Sequence, residues 1–257
     1  VMNNLTKTSI RIGYAGLPFG DFSQCEPGDI AVLGVPSEVN ENARAGTSLA
    51  PDALRSMAQQ LGSNLPVNGR DLGNLDVSGD WPDALIPLLM RIIKEGITPV
   101  VLGGATDVAL AVSESLPDLP LVAAMPMARR DIAARSKNTL WVGLNGGQPA
   151  DVWNQISQRE MVWRTARQLD EKPDCSFEIP ERAILWIDIS VIDLGHAAGT
   201  NGLNPAGLKP ETLVSVISAM TCSWQAIVIT GLAPAHDTRG LSELAAIETL
   251  KAALHNE

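Results

Sequence analysis

The chain has 257 residues, 45% of them hydrophobic and 19% charged, and a formal net charge of −10. That apolar content builds a substantial core and excludes a disordered chain, while the acidic balance excludes nucleic acid or an anionic membrane as a partner held by long-range attraction. Cys25, Cys175 and Cys222 are widely spaced and form no CxxC, a usage that suits a reducing cytoplasm better than a disulfide scaffold or zinc cluster. The opening residues are polar, so no signal peptide is expected, and no run of about 18 apolar residues predicts a membrane span.

In chain order, the apolar pattern predicts a strand over residues 30–35 and a helix over 51–61, with Pro51 at a permissible first position. A second helix is predicted over 83–95, closed by Gly96; Pro87 inside it either kinks it or marks its true start. A strand over 98–102, a helix over 105–114 and strands over 119–123 and 139–143 follow. Residues 151–168 are amphipathic without declaring an element type. The chain then reads as strand 183–189, helix 210–220, strand 226–230 and helix 242–255. Strands separated by helices predict a single α/β domain, residues 1–257 with 1–28 as an N-terminal extension. Its expected form is a doubly wound, mostly parallel sheet covered by helices on both faces.

Ligands of such sheets lie beyond the carboxyl ends of the strands. The segments of interest are therefore 34–46, 103–107, 125–130, 189–201 and 231–240, rich in Gly, Ala, Asp, Asn or Arg. The Gly103-Gly104 turn lacks the glycine spacing of a phosphate cradle, and no serine or cysteine has a recognisable base. Nucleotide binding and nucleophilic catalysis are not expected.

Six stretches, in order, resemble the motifs of the arginase/agmatinase (ureohydrolase) family. They are Gly34-Val35-Pro36 with Arg44-Ala45-Gly46 through Pro51 to Arg55; Asp71-Leu72-Gly73; Pro99 to Gly104; Leu185 to Asp193; Gly199-Thr200 through Gly207-Leu208; and Gly231 to Pro234 through Leu241 to Ala245. The resemblance implies a three-layer fold with a central parallel sheet and trimeric or hexameric assembly. It also implies two Mn²⁺ (occasionally Ni²⁺) ions bridging a hydroxide that attacks a guanidinium carbon.

Carried over position by position, most of the implied ligands are absent. Ala105-Thr106 stands where the family has Asp-His, and Met125, Met127 and Arg129 fall on its DAHxD loop. The HGT segment that follows in the family is missing. Ser190 replaces the second carboxylate of the DxD pair, of which Asp188 remains, and Gly231 replaces the glutamate that holds the substrate guanidinium. Methionine sulfur suits soft ions rather than Mn²⁺. Each metal charge about 4 Å from an arginine would be repelled by roughly 4 kcal/mol at an effective dielectric of 20. No catalytic residue and no metal bound by this chain are therefore expected. Arg129 is expected either to fill the vacated space and pair with Asp188, or to be a solvated arginine beside Arg130.

Only three histidines occur. His255 belongs to the terminal helix; His196 and His236 lie on carboxyl-edge loops and could build a new metal site with Asp188 or Asp193, although no spacing motif supports it. Asp193 otherwise bonds its loop backbone, and Asp107 suits the first turn of a helix. Trp81, Trp153 and Trp163 are either subunit-contact anchors or core residues.

A chain that keeps scaffold glycines and prolines but lacks the ligands is expected to be a supporting, catalytically inactive subunit. The arrangement in the family nearest to this pattern is metformin hydrolase, which pairs an active nickel-dependent subunit with a degenerate one. The resemblance thus implies a hetero-oligomer with a metal-bearing paralogue, nickel or manganese being held by the partner, that hydrolyses a guanidine or biguanide C–N bond. The alternatives are a stand-alone regulatory module for guanidino compounds and a divergent hydrolase with a rebuilt site.

Overall fold

Near-continuous apolar runs such as Ile-Ala-Val-Leu-Gly-Val suit strands buried on both faces, and their alternation decides which residue meets which helical layer. The computed structural model describes residues 5–6, 13–38, 44–135, 138–173 and 177–255. Its strands are β1 (Leu5–Thr6), β2 (Ile30–Val35), β3 (Gly69–Leu75), β4 (Thr98–Gly103), β5 (Leu121–Ala124), β6 (Thr139–Leu144), β7 (Trp163–Thr165), β8 (Arg182–Asp188) and β9 (Ser223–Thr230). They form one sheet in the order β1-β3-β2-β4-β9-β8-β5-β6-β7. Only β1 runs antiparallel to its neighbour, leaving eight parallel strands.

The helices are α1 (Ala50–Gln60), α2 (Trp81–Lys94), α3 (Asp107–Ser115), α4 (Arg130–Arg135), α5 (Ala150–Gln158), α6 (Ala166–Glu171), α7 (Pro210–Ser218) and α8 (Leu241–Leu254). On one face, Ile30, Val32, Leu185 and Ile229 pack with Leu54, Leu169, Leu213 and Leu250 of α1, α6, α7 and α8. On the other, Ala31, Leu33, Trp186 and Val228 pack with Leu85, Val108 and Ile156 of α2, α3 and α5. The single expected domain of three layers is what forms. Among the described residues no helix is long and apolar enough to cross a membrane.

Three departures from the sequence expectation have physical causes. β3, Gly-Arg-Asp-Leu-Gly-Asn-Leu, has little strand propensity; it is held by Arg55, whose guanidinium donates to both carboxylate oxygens of Asp71 at 2.8 Å and to Asn74 at 2.6 Å. α2 begins at Trp81 with Pro82 in its first turn, so Pro87 lies inside the helix rather than at its start. The ambiguous stretch 151–168 holds most of α5, then β7, then the start of α6, where Thr165 and Gln168 form a capping box. Within the expected N-terminal extension, Tyr14 is buried and donates its backbone N–H to Asp71 at 2.6 Å. Residues 1–4 and 7–12, and Cys175, lie outside the described residues.

Candidate active-site crevice

In an open parallel sheet the crevice forms where chain order reverses across the strands. Here β4 is followed in sequence by β5, but β9 and β8 lie between them. The carboxyl ends of these four strands bring together the 103–107, 125–131, 188–201 and 231–240 segments. The β4 end is packed tightly: a Cβ on Gly104 would overlap the Ser37 carbonyl. Ser37 accepts from the Ala105 N–H at 3.2 Å and donates to Asp107 at 3.2 Å. Asp107 starts α3, as its helix-first-turn reading expects, and burial raises its carboxyl above the ordinary value.

Asp188 closes β8 with its carboxylate buried. Its Oδ1 accepts from the Ser190 N–H at 2.9 Å and the Ser190 hydroxyl at 2.5 Å. Burial still dominates and holds the Asp188 pKa above the usual carboxylate range, against the Ser190 hydrogen bonds and the charge of Arg129. Ser190 thus acts as a donor to Asp188. Gly231 follows β9 in a left-handed conformation (φ 80°), and a side chain there would begin on top of Asp188 Oδ1. The carboxylate of Asp188 occupies the space that a side chain at residue 231 would need.

Arg129 follows β5. Its Nη1 donates to the Thr106 hydroxyl at 2.8 Å, and its Nε and Nη2 fork onto Asp131 at 3.1 and 2.8 Å. The expected Arg129–Asp188 ion pair is therefore corrected: among the described residues Arg129 pairs with Asp131 and acts on Asp188 only through space. A fork onto a carboxylate two residues away fixes the guanidinium plane, which pairing with a deeper, already hydrogen-bonded Asp188 would not. Burial raises the Asp131 carboxyl, but the Arg129 hydrogen bonds and charge outweigh that and bring it below its ordinary value. Arg129 stays partly exposed, as the solvated-arginine alternative has it in part, and its neighbour Arg130 is largely exposed and reaches Asp151.

Residues 28–119 match the model of the arginase family. Over nearly its whole length the chain is similar to solved ureohydrolase structures. Agmatine ureohydrolase of Thermoplasma volcanium superposes with a TM-score of 0.80 at 16% identity, covering 96% of this chain and 95% of that one. The chain has the arginase/ureohydrolase fold. Trypanosoma cruzi formiminoglutamase, solved with Mn²⁺, gives a TM-score of 0.79 at 16% identity over 91% and 94% of the two chains. Proclavaminate amidino hydrolase from Streptomyces clavuligerus gives 0.77 at 17% identity over 97% of each. No curated protein matches in sequence. Residues 28–119 thus resemble the arginase family in sequence, and the rest of the chain shares the ureohydrolase fold.

Measured against the ureohydrolase metal chemistry, the side chains in the crevice do not fit a pair of hard divalent ions. Met125 turns into the core beside Trp141 and Trp186, while Met127 is substantially exposed. Thr106 and Ser190 are engaged as acceptor and donor to Arg129 and Asp188, and the charge that acts on Asp188 is the positive one of Arg129. Among the described residues no three of His, Cys, Asp and Glu come together as a metal site. His196 lies beside Asp193 at 3.8 Å, while His236 Nε2 lies 3.0 Å from the Ala45 carbonyl. Among the described residues neither histidine reaches Asp188, and no third His, Cys, Asp or Glu joins His196 and Asp193. Asp193 accepts from the Gly195 N–H at 2.8 Å, its expected loop role.

Two residues of the crevice escaped the sequence reading. Asp131, which orients Arg129, carries no signal beyond its place in the first turn of α4. Asn204 donates to the carbonyls of Ser190 and Val191 at 3.0 and 3.1 Å, pinning the turn after Asp188. Of the tryptophans, Trp81 belongs to the core, and Trp153 and Trp163 pack edge to face at 4.9 Å against it.

Proposed function

We propose that this chain is a catalytically inactive ureohydrolase subunit that assembles with a metal-bearing paralogue into a guanidine or biguanide C–N hydrolase of the metformin hydrolase type. The observation that carries the reading is the Arg129 guanidinium, clamped by Thr106 and Asp131 across the crevice where the resemblance puts the metal ligands. A fixed cation beside the one retained carboxylate, Asp188, opposes metal binding. The intact sheet and its buried layers support a role in which shape matters: supporting a trimer- or hexamer-type hetero-oligomer in the cytoplasm. All nickel or manganese ligands then come from the partner, and the product is urea or a guanylurea-type compound.

Native mass spectrometry on the tagged chain recovered from its own cells tests this. The expected result is a complex with a second, metal-loaded chain of similar size. A metal-free homo-oligomer without a companion would overturn the reading.

A further inference from the structure

Thr106 and Arg129 belong to segments that follow β4 and β5, and these strands are three positions apart in the sheet. At about 4.8 Å per strand the gap is about 14 Å. The two segments lean together across it, and the Arg129 guanidinium links them, donating to Thr106 of one segment while forking onto Asp131 of its own. The charge of Arg129 also acts on Asp107 and on buried Asp188. One hydroxyl and one carboxylate thus hold a planar cation by hydrogen bonds, the carboxylate of Asp131 as a fork-shaped partner.

We propose that the crevice is a socket for one guanidinium group and that Arg129 is its built-in occupant. The socket recognises a planar, multiply hydrogen-bonding cation, and a compact ammonium cannot reproduce contacts to both Thr106 and Asp131. Held by its own chain, Arg129 is present at an effective concentration that a dissolved guanidine does not match, so the socket stays closed to external ligands. This deepens the inactive-subunit reading, on which it rests, by naming what keeps substrate out of this subunit.

Truncation of the occupant tests it. Arg129→Ala empties the socket while leaving Thr106, Asp131, Asp107 and Asp188 in place. Thermal unfolding is followed with methylguanidinium chloride against sodium chloride at equal concentration, together with titration calorimetry. The expected result for Arg129→Ala is a saturable rise in Tm with methylguanidinium alone, with an apparent Kd of about 1 mM for so small a ligand. The wild-type chain and Arg129→Lys are expected to respond equally to both salts. No selective response from Arg129→Ala, or an equal one from the wild type or Arg129→Lys, overturns the proposal. If Arg129→Ala does not accumulate in folded form, its refolding yield in the two salts is compared instead, and no gain with methylguanidinium overturns it equally. Amine release from methylguanidine by the wild-type chain alone would sink the inactive-subunit reading; an unresponsive Arg129→Ala with no amine release sinks only the socket.

Discussion

The Oδ1 atom of Asp188 lies where a side chain on Gly231 would begin. The two positions are therefore coupled: the carboxylate is settled against the Ser190 turn in space that any larger residue at 231 would claim. Gly231 also holds a φ of 80°, a region that costs other residues roughly 1–3 kcal/mol. Gly231→Glu is thus expected to destabilise the fold by about 3 kcal/mol, combining backbone strain with displacement of Asp188. Urea unfolding measures it; a midpoint unchanged from the wild type would show that the Asp188 side chain moves away without cost.

Asp188→Asn should behave in the opposite way. Asn Oδ1 can still accept from the Ser190 N–H and hydroxyl, and no ion pair is lost, because Arg129 is engaged by Asp131. Burial raises the folded-state pKa of Asp188 above its unfolded value, so the native state holds that proton more tightly. Its contribution is complete below the unfolded pKa and lost as pH rises through the folded one. Asp188→Asn should therefore be within about 1 kcal/mol of wild type at low pH and gain on it as pH rises. A loss of about 3 kcal/mol or more at neutral pH would instead reveal a charge that the fold depends on.

Glu243 supplies a second pH dependence. It is buried in the first turn of α8 with Oε2 lacking a hydrogen-bond partner among the described residues. Burial, then the neighbouring Asp237, push its carboxyl up to about 7 from an ordinary 4.5. Asp237 moves the other way, to about 2: the Ser242, Arg239 and Leu241 backbone N–H groups outweigh its partial burial. Since the folded pKa of Glu243 lies above the unfolded one, its contribution is full below 4.5 and lost as pH climbs through about 7. Stability curves at pH 5 and 8.5 should show a fall of about 1–2 kcal/mol that Glu243→Gln removes, screening by solvent reducing the ideal linkage value. Equal pH dependence in the two proteins would assign the effect elsewhere.

Much of the fold was legible because its central strands obey a simple rule. Ile30–Val35, Thr98–Gly103 and Ser223–Thr230 are apolar over most of their length, as strands buried on both faces must be. β3 was not legible, because its stability comes from a polar network whose other half, Arg55, sits on a preceding helix. The crevice was readable only in part: Asp131 and Asn204 carried no signal, and Met125 turns away into the core. Residues 106, 129, 188 and 231 do converge, yet local sequence gives no means of telling that Arg129 would prefer Asp131, two residues on, to Asp188 across the crevice. That choice depends on burial: Asp188 is already satisfied by Ser190, whereas Asp131 is partly exposed and free to fork.

The network around β3 gives the last prediction. Arg55 and Asp71 are both fully buried, and Arg55 also donates to Asn74 and the Gly73 carbonyl, while Asp71 accepts from the Tyr14 and Gly73 N–H groups. Taking away one partner strands a buried charge, a loss of about 3–5 kcal/mol. Arg55→Met should therefore cost most of the stability of a domain this size, and Asp71→Asn should cost nearly as much. The double variant Arg55→Met/Asp71→Asn should lose less than the sum of the two, since neither charge is then left alone. A double-mutant cycle in urea measures the coupling. Strict additivity would mean that the pair contributes only through packing and that β3 is held by its other contacts.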